Sequence, residues 1–480
     1  MQRCLALAET FADLGWRCVF ACRVGTFETV PALKSSLHHV FALHGAVADE
    51  AAEISALVPP QCELLVVDHY GRDRVFEAAC RSFAKRIVAL DDQPARSHDC
   101  DVLLDPTPRR EAADYKKLVP DDCEFLLGSE YALLRQQFAG YRKSALDRRK
   151  QQRAVERLLV SIGMTDPQNL TATVLQGIAE SGLPLPVDIV LGSAAPHLKQ
   201  IKQLINTLDI NAHLHVDIAD MAQLMSKADL AIGACGSSSF ERCCLGLPSL
   251  VVVAAKNQRE YAAALVAAGA VESLGDTSEL RPKGVAAALR GLAADAERRL
   301  TMSRKAAALC DGRGPLRIAI GLLAPEIARN GAKVTLRLAD IGDCDFILTW
   351  QQYPATRRFS HNPQPPTAAE HAQWFAQTLD DPSRLLLIVQ LDGEPAGMLR
   401  LDREAADQCK ISILTAPERY RLGIGSAALA LARRLFVRAE LHAEVLPANE
   451  ASRVLFCNAG YREQAPGLFV NTCNEALAVT

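Results

Sequence analysis

The stretch Ala228-Asp-Leu-Ala-Ile-Gly-Ala-Cys-Gly-Ser-Ser-Ser-Phe-Glu-Arg-Cys-Cys-Leu-Gly-Leu-Pro-Ser249 constrains the fold more than any other part of the chain. It reads as a buried strand from Leu230 to Ile232, a glycine-serine loop from Gly233 to Ser239, a short helix, and a second strand from Leu250 to Val253. Gly246 and Pro248 end the helix. Gly236 and its neighbours let backbone amides approach an anion, Ser237, Ser238 and Ser239 add hydroxyls, and the helix aims its positive end at the same place. Such a loop suits a diphosphate. Glu241, in the first turn of the helix, carries an acceptor-only carboxylate able to take both hydroxyls of a ribose. A glycine-rich strand-helix turn also serves as plain chain reversal, and Glu241 is what favours the nucleotide reading.

The same alternation recurs on both sides of this unit. Cys18 to Cys22, Leu64 to Asp68, Ile87 to Leu90 and Val102 to Leu104 read as short strands separated by helices in residues 1–150. Leu158 to Ile162, Val187 to Leu191, His213 to Val216, Leu230 to Ile232 and Leu250 to Val253 repeat the scheme within 151–328. Strand-helix alternation predicts two Rossmann-like, doubly wound α/β halves, with the charge-rich run Tyr141 to Arg157 between them. In such folds ligands sit outside the carboxyl ends of the strands. The pattern changes over 334–480, reached through the segment Ala328 to Lys333. There Thr367 and Glu370 form a capping box ahead of a helix with Trp374, Phe375 and Leu379, and Asp392-Gly393 marks a hairpin turn. A strand over Lys410 to Thr415 and a helix over Gly423 to Arg438 complete an α+β domain.

At 480 residues the chain has room for about three domains of ~150 residues. A net charge of -3 gives no polyanion-binding signal, so nucleic acid is not an expected partner. Fifteen cysteines without Cys-x-x-Cys spacing argue against a disulfide framework and against a metal site, and for a reducing cytoplasm. No run approaches the ~18 apolar residues of a membrane span.

Several motifs fall at strand ends of the first two halves: Val67-Asp68-His69-Tyr70-Gly71, Leu90-Asp91-Asp92, Arg96-Ser-His-Asp-Cys-Asp101, Gly128-Ser-Glu-Tyr-Ala-Leu-Leu-Arg135, Ser161-Ile-Gly-Met-Thr-Asp166 and Asn257-Gln258. Asp68 and His69 either line a site or cap a strand end, Asp91 and Asp92 either line a site or hold a turn, and Thr165 and Asp166 are candidates for phosphate or cap contacts. Together with the serine loop, which looks like the nucleotide-sugar loop of GT-B enzymes, the motifs resemble the UDP-2,4-diacetamido-2,4,6-trideoxy-β-L-altropyranose hydrolases of pseudaminic acid synthesis over about residues 1–325. Met164 departs from the family, where a second glycine is expected. The resemblance implies a UDP-sugar substrate, with Tyr70 and Asn257 around the sugar and Gly236, Ser237, Ser238, Ser239, Glu241, Thr165 and Asp166 around UDP. It also implies a catalytic histidine in a Gly-x-Gly-His segment directly before an Arg-Cys-Leu sequence. Here Arg3-Cys4-Leu5 follow Met1, so that histidine and the first strand are expected upstream, with His69 as the alternative base.

Residues 334–480 resemble the GNAT N-acetyltransferases through Trp350, the Glu370 to Phe375 helix, Arg421-Leu-Gly-Ile-Gly-Ser426, Asn449-Glu-Ala-Ser-Arg-Val-Leu-Phe456 and Gly460-Tyr461. The resemblance implies acetyl-CoA as co-substrate. Arg421 and the amides of Gly423, Ile424, Gly425 and Ser426 would hold its pyrophosphate, the edge of Ile413, Leu414 and Thr415 its pantetheine, and Asn449 its arm, with Ser452 capping the next helix. Tyr420 replaces the usual Gln or Arg, and Phe456 replaces the tyrosine that protonates the leaving thiolate. The expectation is a cytoplasmic bifunctional enzyme that acetylates a UDP-4-amino-sugar and hydrolyses UDP from the product. A hydrolytically silent UDP-sugar-binding scaffold carrying an acetyltransferase, or a GT-B glycosyltransferase, stays open.

Overall fold

The computed structural model describes residues 1–26, 30, 32–58, 62–151, 154–360 and 362–472. They divide into two compact units, Met1–Leu7 with Val19–Pro315, and Ala8–Cys18 with Leu316–Thr480. The last residues of the expected third domain, 473–480, lie outside the described residues. No helix among the described residues is long and apolar enough to cross a membrane.

The first unit contains the all-parallel sheets. β1 (Val19–Arg23), β2 (His39–Leu43), β3 (Leu65–Val67), β4 (Ile87–Leu90), β5 (Val102–Asp105) and β6 (Glu124–Leu127) belong to its first half. Instead of one sheet they make two, a β1–β2 pair and a β3–β4–β5–β6 ladder, all parallel. The ladder is interrupted because β1 and β3 share no hydrogen-bonded neighbour. Both sheets nonetheless feed one apolar cluster, in which Leu43 packs with Val67, Ile87, Ala89 and Leu103. β2 and β6 escape a sequence reading because each offers only a short apolar run, 40–43 and 125–127, behind a polar first residue.

The second half holds β7 (Leu158–Ser161), β8 (Val187–Leu191), β9 (Ala212–Val216), β10 (Leu230–Ala234), β11 (Ser249–Val253) and β12 (Glu272–Asp276) in the order β12-β11-β10-β7-β8-β9. This is the doubly wound arrangement, its order reversing between β7 and β10. Both faces are buried, and the alternation of side chains sorts them. Leu158, Val160, Leu230, Ile232, Leu250 and Val252 enter one cluster, while Leu159, Ala231 and Val251 enter the other. Truncating Leu159 or Ile232, each without exposure, costs about 2–5 kcal/mol. The charged run read as a boundary is largely the helix Gln136–Gln151, whose Phe138 and Ala145 are part of the second half's core.

The second unit carries an eight-stranded sheet, β13 (Glu326–Ile327), β14 (Lys333–Leu338), β15 (Arg384–Leu391), β16 (Glu394–Ala405), β17 (Gln408–Thr415), β18 (Glu440–Glu444), β19 (Arg462–Ala465) and β20 (Leu468–Asn471), ordered β13-β14-β15-β16-β17-β18-β20-β19. The unit starts earlier than the expected linker because β13 pairs antiparallel with β14. The capping box forms as read: Thr367 Oγ1 accepts from Glu370 N and Glu370 Oε2 accepts from Thr367 N at 2.9 Å, opening the helix Ala368–Asp380. Asp392 and Gly393 take φ of 49° and 87°, the left-handed pair of a tight hairpin. Phe375, Trp350, Leu386 and Ile388 form the core beneath.

Candidate functional site

The carboxyl ends of β7 and β10 lie side by side, Ser161 opposite Gly233, and the two glycine-containing loops leave from them. Cys235 N donates to Val252 O at 3.0 Å, which ties the start of the serine loop to β11. Gly236 O and Ser237 O accept from Ser239 N and Phe240 N, turning the chain into the helix Ser238–Cys244. Ser237 is exposed and Ser238 half-buried, whereas Ser239 is fully buried. Ser239 is therefore a correction. Its hydroxyl donates to Ala234 O at 3.4 Å and accepts from Arg242 Nη2 at 2.9 Å, so it braces the loop from within. Glu241 is half-buried, and burial pushes its carboxyl pKa up; no donor reaches it among the described residues.

The loop after β7 divides its two candidates. Thr165 is exposed, while Asp166 is buried with φ 35° and spends both carboxylate oxygens on Leu170 N at 3.0 Å and Thr171 N at 2.8 Å. Asp166 thus ties down the start of the helix Leu170–Ser181, the cap contact among its two expected roles.

In the first half the loops after β3 and β4 converge. Tyr70 hydroxyl lies 2.9 and 3.2 Å from the two carboxylate oxygens of Asp92, and Asn257 Nδ2 donates to the same hydroxyl at 3.3 Å. Gln258 follows Asn257, and a Cβ on Gly236 would stand 3.5 Å from its Nε2, so neighbouring side chains touch the tyrosine and the serine loop. Asp68 accepts from Arg3 Nη2 at 2.6 Å and Nε at 3.0 Å; against its burial, this guanidinium holds the carboxyl well below the usual range. Arg3 also reaches Asp92 at 3.3 Å. His69 is exposed, but its Nδ1 accepts from Gly71 N at 2.9 Å. A neutral ring bonded this way carries its proton on Nε2 and has no lone pair left to take another. That geometry weighs against His69 as the base.

Asp91 parts company with Asp92. It accepts from Asp92 N at 3.0 Å, from Arg96 at 2.5 Å and bonds His98 Nε2 at 3.2 Å, while His98 Nδ1 bonds Glu77 Oε1 at 2.8 Å. Burial opposes charge on His98, yet the hydrogen bonds to Asp91 and Glu77 raise it to about 9. The result is a buried imidazolium between two carboxylates beneath the Tyr70 loop, where Arg96 also holds His69 O at 3.0 Å. Arg3 and His98 fall within short motifs without standing out there as site residues, and the Arg110–Glu260 pair at 2.7 Å carries no local motif; only the fold brings them to the site.

In the second unit, β17 pairs with β18 only from Gln408 to Lys410. Ile413, Leu414 and Thr415 keep their β16 partners and have no strand on the other edge, which leaves backbone groups for an extended ligand. Gly423, at φ 83°, opens the helix Ile424–Leu435, so the amides of Gly423, Ile424, Gly425 and Ser426 lie in its first turn. Arg421 is exposed at φ 67°. Asn449 takes the capping part expected of Ser452: its Oδ1 accepts from Ser452 N at 3.1 Å at the start of Glu450–Asn458. Phe456 is buried against Tyr461, ring centroids 5.0 Å apart.

This architecture has relatives. Residues 158–312 match the family model of the glycosyltransferase family 28 C-terminal domain, and residues 333–462 that of the acetyltransferase (GNAT) domain. The first unit resembles the crystal structure of Acinetobacter baumannii MurG, with a TM-score of 0.50 at 15% identity over 66% of this chain and 93% of that one. The chain is 26% identical over 272 residues to the UDP-2,4-diacetamido-2,4,6-trideoxy-beta-L-altropyranose hydrolase of Campylobacter jejuni, covering 56% of this chain and 91% of that protein. It is 30% identical over 165 residues to the spore coat polysaccharide biosynthesis protein SpsG of Bacillus subtilis, covering 34% of this chain and 48% of that one. The chain is thus a nucleotide-sugar hydrolase-like enzyme joined to a GNAT acetyltransferase domain.

Proposed function

We propose that the chain handles one UDP-sugar twice. The GNAT domain transfers acetyl from acetyl-CoA to the 4-amine of a UDP-4-amino-4,6-dideoxy-N-acetyl-β-L-altrosamine. The amine attacks the thioester carbonyl, the C–S bond breaks, and the proton shed by the acylated nitrogen passes through water to the leaving thiolate, because Phe456 has none to give. The first unit then hydrolyses UDP from the diacetamido product. Water attacks the anomeric carbon, its proton passes to a base, and the C–O bond breaks with its electron pair leaving on the diphosphate. The serine-loop amides and hydroxyls take up that charge. Ser237, Ser238 and Gly236 would hold the diphosphate, Glu241 the ribose, and Tyr70 and Asn257 the sugar. The observation that carries the reading is the serine loop beside a desolvated, unpartnered Glu241, joined through Gln258 and Asn257 to the Tyr70–Asp92 pair.

Incubation with the UDP-diacetamido sugar, with free UDP as readout, tests hydrolysis, and a chain that releases none refutes it. The consumed lone pair of His69 favours a second reading, a UDP-sugar-binding scaffold for an active acetyltransferase. That reading holds if the chain binds UDP tightly, acetylates the amine and releases no UDP from the sugar.

A further inference from the structure

A guanidinium lies directly beneath the serine loop with no anion to balance it. Arg242 is 1% exposed and is the largest fully buried side chain among the described residues. Its Nη2 donates to Ala234 O at 2.8 Å and to Ser239 Oγ at 2.9 Å, its Nη1 donates to Ser238 Oγ at 3.3 Å, and its Nε has no partner. The space it fills exists because residue 233 is glycine: a Cβ there would lie 2.6 Å from Nη1. Glu241 attracts it from a distance without an ion pair. A buried charge without a counter-charge is costly.

Two other arginines are buried on carbonyl oxygens, and the contrast is informative. Arg149 donates to Met225 O and Ala228 O, at the end of the helix Met221–Lys227, and Arg299 donates to Leu292 O and Ala293 O, at the end of Pro282–Ala294. A helix C-terminus is the negative end of the dipole and balances a cation. Arg242 instead meets two serines in the first turn of Ser238–Cys244, the positive end. Its charge adds to that of the loop. Moreover, the lone pairs of Ser238 Oγ and Ser239 Oγ that face the guanidinium are occupied, so each hydroxyl proton must go elsewhere. Ser239 sends its proton to Ala234 O, whereas the Ser238 hydroxyl has no acceptor among the described residues.

We propose that Arg242 is the positioning residue for the diphosphate: it turns the Ser238 hydroxyl proton outward as a polarised donor and holds a positive charge that only a bound phosphate group balances. This rests on the nucleotide reading of the loop. Ser238 makes the contact; Arg242 acts through it and through the field behind the loop.

The test compares UDP with uridine, which shares the base and ribose but lacks the phosphates, by calorimetry on the full chain. Arg242→Met, close in volume and uncharged, should weaken UDP by about tenfold or more and leave uridine unchanged, so the preference for UDP over uridine collapses. Thermal unfolding adds a readout: the variant should lose most of the stabilisation that UDP confers on the native chain. A folded Arg242→Met protein with the native UDP-to-uridine ratio makes the residue a structural brace and overturns the proposal. Should Arg242→Met fail to fold, Ser238→Ala takes its place: a several-fold loss for UDP with none for uridine supports the relay, and an unchanged ratio overturns it. Failure of the native chain to bind UDP is a separate outcome that removes the nucleotide reading itself.

Discussion

At the scale of single residues, polarity in the right loop proves a weaker guide than where each polar group is spent. Ser237, Ser238 and Ser239 are chemically identical, and rotamer and depth separate them: one is exposed, one half-buried, one turned onto Ala234 O. Asp166 and Asn449 give their oxygens to backbone amides, while no donor among the described residues reaches Glu241. A desolvated acceptor without a donor loses free energy until a ligand supplies one. Glu241→Ala should therefore weaken UDP binding by about 100-fold or more, the value of two hydrogen bonds to a charged group, and leave acetyl transfer intact. Calorimetry with UDP and an acetyl-CoA turnover assay on the same preparation check both halves of that expectation. Unchanged UDP affinity would remove Glu241 from the ribose site.

At the scale of elements, two contacts hold the loops that present these residues. Asp166 accepts from the amides of Leu170 and Thr171, so Asp166→Ala should cost about 1 kcal/mol in urea unfolding while UDP affinity of the folded protein stays native. A large loss of affinity would return Asp166 to the ligand. The second contact joins Glu77 in the helix Arg74–Cys80 to the turn after β4 through His98, with Arg96 on the far side of Asp91. The raised His98 pKa, about 9 against an ordinary 6.5, means the folded chain holds that proton more tightly than the unfolded chain. The stabilisation is complete below pH 6.5 and disappears as pH rises through 9, with an upper size of about 3 kcal/mol at ~1.4 kcal/mol per unit. Urea unfolding across that window should show the decline, and His98→Gln should flatten it. A decline that persists in the variant assigns the proton to another group. The first was among the alternatives open for Asp166 in the sequence, whereas the second was not legible: His98 stands in the Arg96-to-Asp101 motif, but its partners come from separate elements.

At the scale of the whole molecule, the acetyltransferase unit completes its own sheet from β13 to β19, so a fragment of residues 316–480 should fold and bind acetyl-CoA. In that fragment Gly425→Glu places a carboxylate in the first turn of Ile424–Leu435, against the pyrophosphate, and should abolish binding in calorimetry. A folded fragment blind to acetyl-CoA would defeat the assignment of this site. How much was readable before the structure follows from the range of the forces involved. Buried parallel strands such as Ile87–Leu90 and Val187–Leu191 were readable to the residue, because such a strand is buried on both faces and its nearly continuous apolar run, broken only by Asp188, stops near where burial stops. The hairpin at Asp392-Gly393 and the Thr367–Glu370 cap were equally plain, since both depend on residues within a few positions of one another. Edge strands with polar residues, the unmatched charge of Arg242 and the hydrogen bond between Tyr70 and Asp92 were not. Periodicity and capping act locally and so are written in the chain itself, whereas the pairing of one charge or hydroxyl with another depends on which surfaces the packed sheets bring together.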